Sequence, residues 1–260
     1  MRLHCLGTVG YHPNSVRHTS CYFLPESGIV LDAGSGAFRL GDLVETDHLD
    51  ILLSHAHLDH TFGLTFLLDV LYQVEKRRGR PIQKLRIHGE AKKLAAIQSH
   101  LFNELIFPVA FDADWIAIDD RPTFSIGEVD VTWRGQDHPG GSVAYRFDWN
   151  FQGNRPAKRL VYATDTTGDT TAEHAEWSSG ADVLMHECYF RDDAAEWAVK
   201  TGHSYASRVA EVATLSRPKH LLLTHINPIE ESEDAVGIES IRKKVACAVT
   251  LAADKMTLDF

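Results

Sequence analysis

The segment Ser54-His55-Ala56-His57-Leu58-Asp59-His60 restricts this chain more than any other. Three histidines and an aspartate fall within six residues, directly after the apolar run Ile51-Leu52-Leu53. Such a run reads as a short buried strand, Leu49 to Ser54, and a loop at a strand's end can aim successive side chains into one cleft. In an extended segment, residues two apart share a side, so His55, His57 and Asp59 point together while His60 turns toward a second point. Imidazole and carboxylate at this density suit zinc, manganese or iron. The bland alternative is a histidine-rich surface loop, and it weakens as ligand count and strand context rise together.

One such run cannot fill two metal sites, but the chain offers further ligands where other apolar strands end. His138 lies in Gln136-Asp137-His138-Pro139-Gly140-Gly141, Asp165 in Val161-Tyr162-Ala163-Thr164-Asp165-Thr166, and His225 in Leu221-Leu222-Leu223-Thr224-His225. A lone histidine after a strand is more often a cap or a surface residue. Their joint occurrence downstream of the first cluster gives these three their weight.

The rest of the chain supports a mixed architecture. Strands are expected at Met1 to Gly7, Ser20 to Leu24, Ile29 to Asp32, Leu85 to His88, Val143 to Phe147, Leu160 to Thr164, Val183 to His186 and His220 to Thr224. A hairpin is expected from Thr123 to Trp133, turning near Gly127. Helical spacing marks Gly63 to Tyr72, Glu90 to Asn103, Tyr205 to Leu215 and a last helix from Ile238 to Val249. Strands dominate with helices between them, which points to an αββα sandwich of the α/β class, two mixed sheets with helices outside. The longest polar stretch, Trp149 to Lys158, is too short to separate domains, so residues 1–260 are expected to form one domain.

Composition narrows the function. The net charge of −10 disfavours a general nucleic-acid binder, while fifteen histidines leave many candidate ligands. No apolar run is long enough to span a membrane, and the N-terminus has no signal-peptide pattern, so a cytoplasmic, membrane-free protein is expected. The four cysteines, Cys5, Cys21, Cys188 and Cys247, have no metal spacing and read as free thiols.

With these residues in view, the chain resembles the metallo-β-lactamase superfamily, from Leu6-Gly7-Thr8 to Asn227. The resemblance implies the αββα fold and two divalent metal ions, Zn2+ first, with Mn2+ or Fe2+ accepted by the same donors. It implies that His55, His57 and His138 hold the first metal, that Asp59, His60 and His225 hold the second, and that Asp165 bridges both. Within the superfamily the chain is similar to the ribonuclease Z branch and its phosphodiesterase relatives. That likeness is carried by Leu6-Gly7-Thr8, Leu31-Asp32-Ala33-Gly34-Ser35-Gly36, Asp182-Val183-Leu184-Met185-His186-Glu187 and Gly202-His203-Ser204-Tyr205-Ala206. It implies that Glu187 supports His203 near the scissile phosphate.

Together these give a metal-dependent hydrolase using a metal-bridging hydroxide. Asp59 orients that nucleophile, and His203, held by Glu187, protonates the leaving oxygen. Asp32, in its glycine-rich loop, is expected to steady that loop beneath the metal histidines. The branch's tRNA-gripping arm falls between the counterparts of His138 and Asp165, where this chain has only Gly140 to Thr164. A small phosphodiester such as a cyclic nucleotide is therefore the preferred substrate. The alternatives are tRNA 3′ processing and ester, lactone or thioester hydrolysis. Expected partners are a small anionic substrate ahead of RNA, and a second copy of the chain as a homodimer. The basic stretch Lys76-Arg77-Arg78-Gly79-Arg80, with Lys84 and Arg86, reads as a solvated helix end that could touch phosphate.

Overall fold

The computed structural model describes residues 1–109, 111–151, 156–230 and 232–260. Part of the Trp149–Lys158 stretch, residues 152–155, therefore lies outside the described residues. In chain order the strands are β1 (Arg2–Gly7), β2 (Cys21–Leu24), β3 (Ile29–Leu31), β4 (His48–Leu52), β5 (Lys84–Gly89), β6 (Asp114–Ala117), β7 (Thr123–Ile126), β8 (Val129–Gln136), β9 (Ser142–Trp149), β10 (Lys158–Ala163), β11 (Val183–Glu187), β12 (His220–Thr224), β13 (Ala248–Leu251) and β14 (Thr257–Asp259). The α-helices are α1 (Leu58–Thr61), α2 (Leu67–Arg78), α3 (Ala91–Ala96), α4 (Ala172–Ser178), α5 (Ala195–Thr201), α6 (Ala206–Ser216) and α7 (Ile238–Arg242). These elements divide into two compact units, residues 1–122 with 253–259, and residues 123–252 with 260.

The first unit holds a seven-stranded sheet ordered β14-β1-β2-β3-β4-β5-β6. Pairing is antiparallel from β14 to β3 and parallel from β3 to β6. Parallel strands are covered on both faces and so read as continuous apolar runs; Leu49, Ile51 and Leu52 of β4 are fully buried. Helix α2 presents Leu67, Val70 and Val74 to this core, at the spacing of one helical face. It ends at Gly79, whose φ of 71° is the left-handed cap conformation. The one acidic group inside β4, Asp50, is matched by Arg86 and His88 of β5 at 2.6 and 2.8 Å.

The second unit holds the sheet β13-β12-β11-β10-β9-β8-β7. Here β10 to β13 are parallel and β7 to β10 antiparallel, with the expected hairpin between β7 and β8. Helix α6 packs Val209, Ala210, Val212 and Ala213 into a core with Val161, Leu184, Leu221 and Leu223. Small alanines on α6 let the helix approach the sheet closely.

One expected element is corrected. The helix from Ile238 to Val249 stops at Arg242, and Ala248–Leu251 forms strand β13. The open parallel edge of β12 takes up the backbone groups of this segment, and Val249 and Thr250 are β-branched residues that suit a strand. The helix expected from Glu90 to Asn103 is α3 followed by a π-helical turn, Ile97–Leu101.

Candidate functional site

The chemistry-bearing residues sit at the carboxyl ends of strands, most of them parallel ones, the end at which open α/β sheets place their ligands. In the first unit Asp32 follows β3, and the His55–His60 run follows β4. The segment stays extended to His57, which forms the entry to α1 at φ −64°, ψ 150°. His55 is therefore side by side with His57, their rings 4.4 Å apart, and His60 swings back on the first helical turn to within 4.4 Å of His55. Asp32 holds this arrangement from below. Its Oδ1 accepts the Ser54 backbone N–H at 2.7 Å, and its Oδ2 accepts the Ser54 hydroxyl at 2.8 Å and lies 2.7 Å from His60 Nδ1. The other nitrogen of His60, Nε2, faces Asp59 Oδ2 at 3.3 Å. The same Asp59 oxygen accepts the backbone N–H of Tyr11 at 2.7 Å.

In the second unit Asp165 follows β10, Glu187 closes β11 and His225 follows β12. His138 lies in the turn after β8. Each oxygen of Asp165 meets a different imidazole, Oδ1 with His138 Nε2 at 3.4 Å and Oδ2 with His225 Nε2 at 3.3 Å. Asp165, His203 and His225 each place a donor atom within 4.8 Å of the others. Asp165 and His225 have φ of 50°, and Asp32 in the first unit has 56°. A non-glycine residue in the left-handed region costs on the order of 1–3 kcal/mol, so three strand ends carry backbone strain at the residues that bear the chemistry.

Glu187 is fully buried and its carboxylate is fully engaged. Oε1 accepts the Thr166 N–H at 2.6 Å, Oε2 accepts the Ser204 N–H at 3.1 Å, and His203 Nδ1 lies 3.2 Å from both oxygens. The carboxylate therefore receives Nδ1–H of His203 and turns Nε2 away from itself.

The donor set fits divalent cations. His138 Nδ1 donates to the backbone carbonyl of Gly202 at 2.9 Å, so the neutral ring aims the lone pair of Nε2 at the Asp165 carboxylate. Burial pushes the His138 pKa below its ordinary value even though the Asp165 carboxylate pulls the other way. His60 repeats the pattern: with Nδ1–H given to Asp32, Nε2 faces Asp59. In both units an imidazole Nε2 faces a carboxylate oxygen at 3.3–3.4 Å, a pairing of donor atoms that a shared cation would suit.

A family model described as the beta-lactamase superfamily domain matches residues 28–226. The chain belongs to the metallo-β-lactamase superfamily. It is accordingly a metal-dependent hydrolase of the αββα class. Curated relatives of this metallo-β-lactamase chain include the ribonuclease Z of Archaeoglobus fulgidus, 26% identical over 98% of the chain and 96% of that protein. The ribonuclease Z of Natronomonas pharaonis is 28% identical over 92% of the chain and 94% of its own length. Among solved structures, the short form of human tRNase Z superposes with a TM-score of 0.72 at 22% identity, covering 100% of this chain and 99% of that one. That likeness is one of fold.

Other features were not legible in the sequence. Tyr189 stacks on His203, Gly202 orients His138, and the Tyr11 amide fixes Asp59. Tyr189 is next but one to Glu187, yet nothing in its type marks it. The basic stretch is largely neutralised inside its own unit: Arg77 pairs with Glu45, Arg78 and Arg80 with Asp47, and Arg86 with Asp50. The described helices include none long and apolar enough to cross a membrane.

Proposed function

We propose that this chain is a phosphodiesterase of the ribonuclease Z type, cleaving an RNA phosphodiester bond, with 3′-extended tRNA precursors as its substrate class. The observation that carries the reading is the Glu187–His203 pair. A ribose alkoxide is a poor leaving group, and an imidazole oriented by a buried carboxylate is the device that protonates one. Full-length similarity to several ribonuclease Z proteins supports RNA over the small phosphodiester favoured by the sequence alone.

The ligands proposed for two divalent cations are His55, His57 and His138 for one, Asp59, His60 and His225 for the other, and Asp165 for both. When bound, the cations supply Lewis-acid charge to phosphoryl oxygens and acidity to water. Zinc is the metal proposed first, since imidazole and carboxylate are its common donors. Asp59, steadied by the Tyr11 N–H, orients the attacking water. His203 gives its Nε2 proton to the leaving oxygen, and Glu187 keeps Nδ1 engaged while it does so.

A second reading has its own support. Strands β9 and β10 pair from Trp149–Lys158 to Tyr145–Tyr162 and take up more than half of the Gly140 to Thr164 interval, the interval in which the branch carries its tRNA-gripping arm. A compact substrate such as a cyclic nucleotide would need no arm.

The deciding experiment reconstitutes the protein with zinc or manganese and offers bis(p-nitrophenyl) phosphate, a 3′-extended tRNA precursor and cyclic AMP, with Asp59→Ala as control. Cleavage of the precursor, lost in the control, is expected. Turnover of cyclic AMP far above that of the precursor would favour the second reading. No turnover of any of the three with metal bound would overturn the phosphodiester assignment.

A further inference from the structure

The Glu187 carboxylate fixes where Nδ1 of His203 points, but a hydrogen bond at one ring nitrogen leaves the plane of an imidazole soft, because its second side-chain torsion has broad wells. The second constraint on this ring comes from aromatic packing: His225 lies 5.5 Å away at 22° and His138 edge-on at 5.1 Å, and Tyr189 is nearer and more nearly parallel than either. The Tyr189 and His203 rings are 4.5 Å apart and 17° from parallel. Tyr189 is half-buried, and its ring also neighbours His225, at 5.5 Å and 39°, and Phe190, at 4.8 Å and 61°. The segment that carries it is latched to the segment that carries His203. The Phe190 N–H donates to Ser204 O and the Phe190 carbonyl accepts from Ala206 N–H, each at 3.1 Å. The stack is thus set by backbone register as well as by side-chain packing.

We propose that Tyr189 is a positioning residue that fixes the ring plane of His203 and so the direction in which Nε2 offers its proton, a role that rests on reading His203 as the proton donor. In the hydrolysis, water oxygen bonds to phosphorus and loses a proton to solvent. The bond to the ribose oxygen breaks with its electron pair on that oxygen, and the oxygen takes the proton from Nε2 of the His203 imidazolium. Transfer needs heavy atoms about 2.6–3.2 Å apart, and a misplacement of about 1 Å can cost on the order of a hundredfold in rate. A filler residue would give way to leucine without consequence; a planar stacking partner would not.

The test compares wild type, Tyr189→Leu, Tyr189→Met, Tyr189→Phe and His203→Ala on two leaving groups. The 3′-extended tRNA precursor expels an alkoxide that needs a proton. Bis(p-nitrophenyl) phosphate expels p-nitrophenolate, which leaves without one. Bound metal and melting temperature are measured for every variant, and the two aliphatic variants guard against one that fails to fold. Tyr189→Leu and Tyr189→Met are expected to lower kcat on the precursor by about ten- to a hundredfold at unchanged KM and metal content, while sparing bis(p-nitrophenyl) phosphate. Tyr189→Phe is expected to restore precursor cleavage. Equal losses on both substrates, no loss at all, or failure of phenylalanine to rescue would overturn the role of Tyr189. If His203→Ala shows no preference between leaving groups, or wild type leaves the precursor uncut, the reading of His203 falls and the proposal with it. If His203→Ala behaves as a lost acid and the aliphatic variants are unaffected, only the role of Tyr189 falls.

Discussion

Asp32 Oδ2 and His60 Nδ1 stand 2.7 Å apart with both side chains fully buried. A carboxylate in this place can only accept, so Nδ1 carries a proton and Nε2 is left as the nitrogen that can offer a lone pair to a metal ion. Asp32→Asn keeps the size and tolerates the left-handed backbone that Asp32 adopts. With Oδ1 still serving the Ser54 amide, the new NH2 group faces His60 and reverses the tautomer, removing the lone pair from Nε2. The expected result is a loss of divalent-metal affinity of about 10- to 100-fold, read by calorimetric titration of metal into the stripped protein. Unchanged affinity would show that His60 is not a ligand through Nε2.

Much of this arrangement was legible in the sequence because chemistry and context coincided. His55, His57, Asp59 and His60 follow an apolar strand at a spacing that only a few structures explain. Asp165 and His225 each follow a run that could hardly be anything but a buried strand. What stayed hidden depends on residues distant in sequence. His138 is oriented by Gly202, 64 positions away, and the left-handed conformations of Asp165 and His225 follow from how their loops close, a property that side-chain type does not announce. Ala248 and Val249, expected as the end of the helix from Ile238, belong to strand β13 because the local pattern permits either state and the free edge of β12 decides between them.

Glu187→Gln tests the same logic on the second unit. Both carboxylate oxygens accept a backbone N–H, from Thr166 and Ser204. An amide can satisfy only one of these, leaving a buried donor opposed by the new NH2 group. Stability should fall by about 1–3 kcal/mol, measured by urea unfolding. Cleavage of an alkoxide-leaving phosphodiester should fall by about 10²–10⁴-fold with metal content retained. Loss of metal in this variant would instead place Glu187 among the groups that hold the ions.

Gly202 caps α5 at φ 79° and gives its carbonyl to His138. A Cβ at this position would collide with Pro139 Cδ and sit 3.0 Å from His138 Nδ1. Gly202→Ala should therefore lower stability by at least about 1 kcal/mol and tilt His138 away from Asp165, weakening metal binding at the same time. Thermal unfolding of stripped and metal-loaded protein separates the two effects. A variant whose metal-induced stabilisation matches wild type would contradict the role given to the Gly202 carbonyl.

His174 predicts an acid limit on stability that is independent of the proposed ligands. Its side chain is 2% exposed at the α4 interface, and burial pushes its pKa down to about 4 from an ordinary 6.5; His186 and Arg134 add to this, and Asp169, 3.7 Å away, only partly opposes it. The unfolded chain takes up a proton near pH 6.5 that the folded chain refuses until about pH 4. Above pH 6.5 the residue is neutral in both states and contributes no pH dependence. As pH falls through the window from 6.5 to 4, stability declines, and the decline ends once the folded form is protonated too. Between pH 7.5 and pH 5 the loss should be about 2 kcal/mol, approaching about 3 kcal/mol below pH 4. His174→Gln removes the titrating group, so urea unfolding at pH 7.5 and pH 5 should show a drop in stability smaller by about 2 kcal/mol than in wild type. Equal drops in the two proteins would mean that His174 is protonated in the folded state well above pH 4.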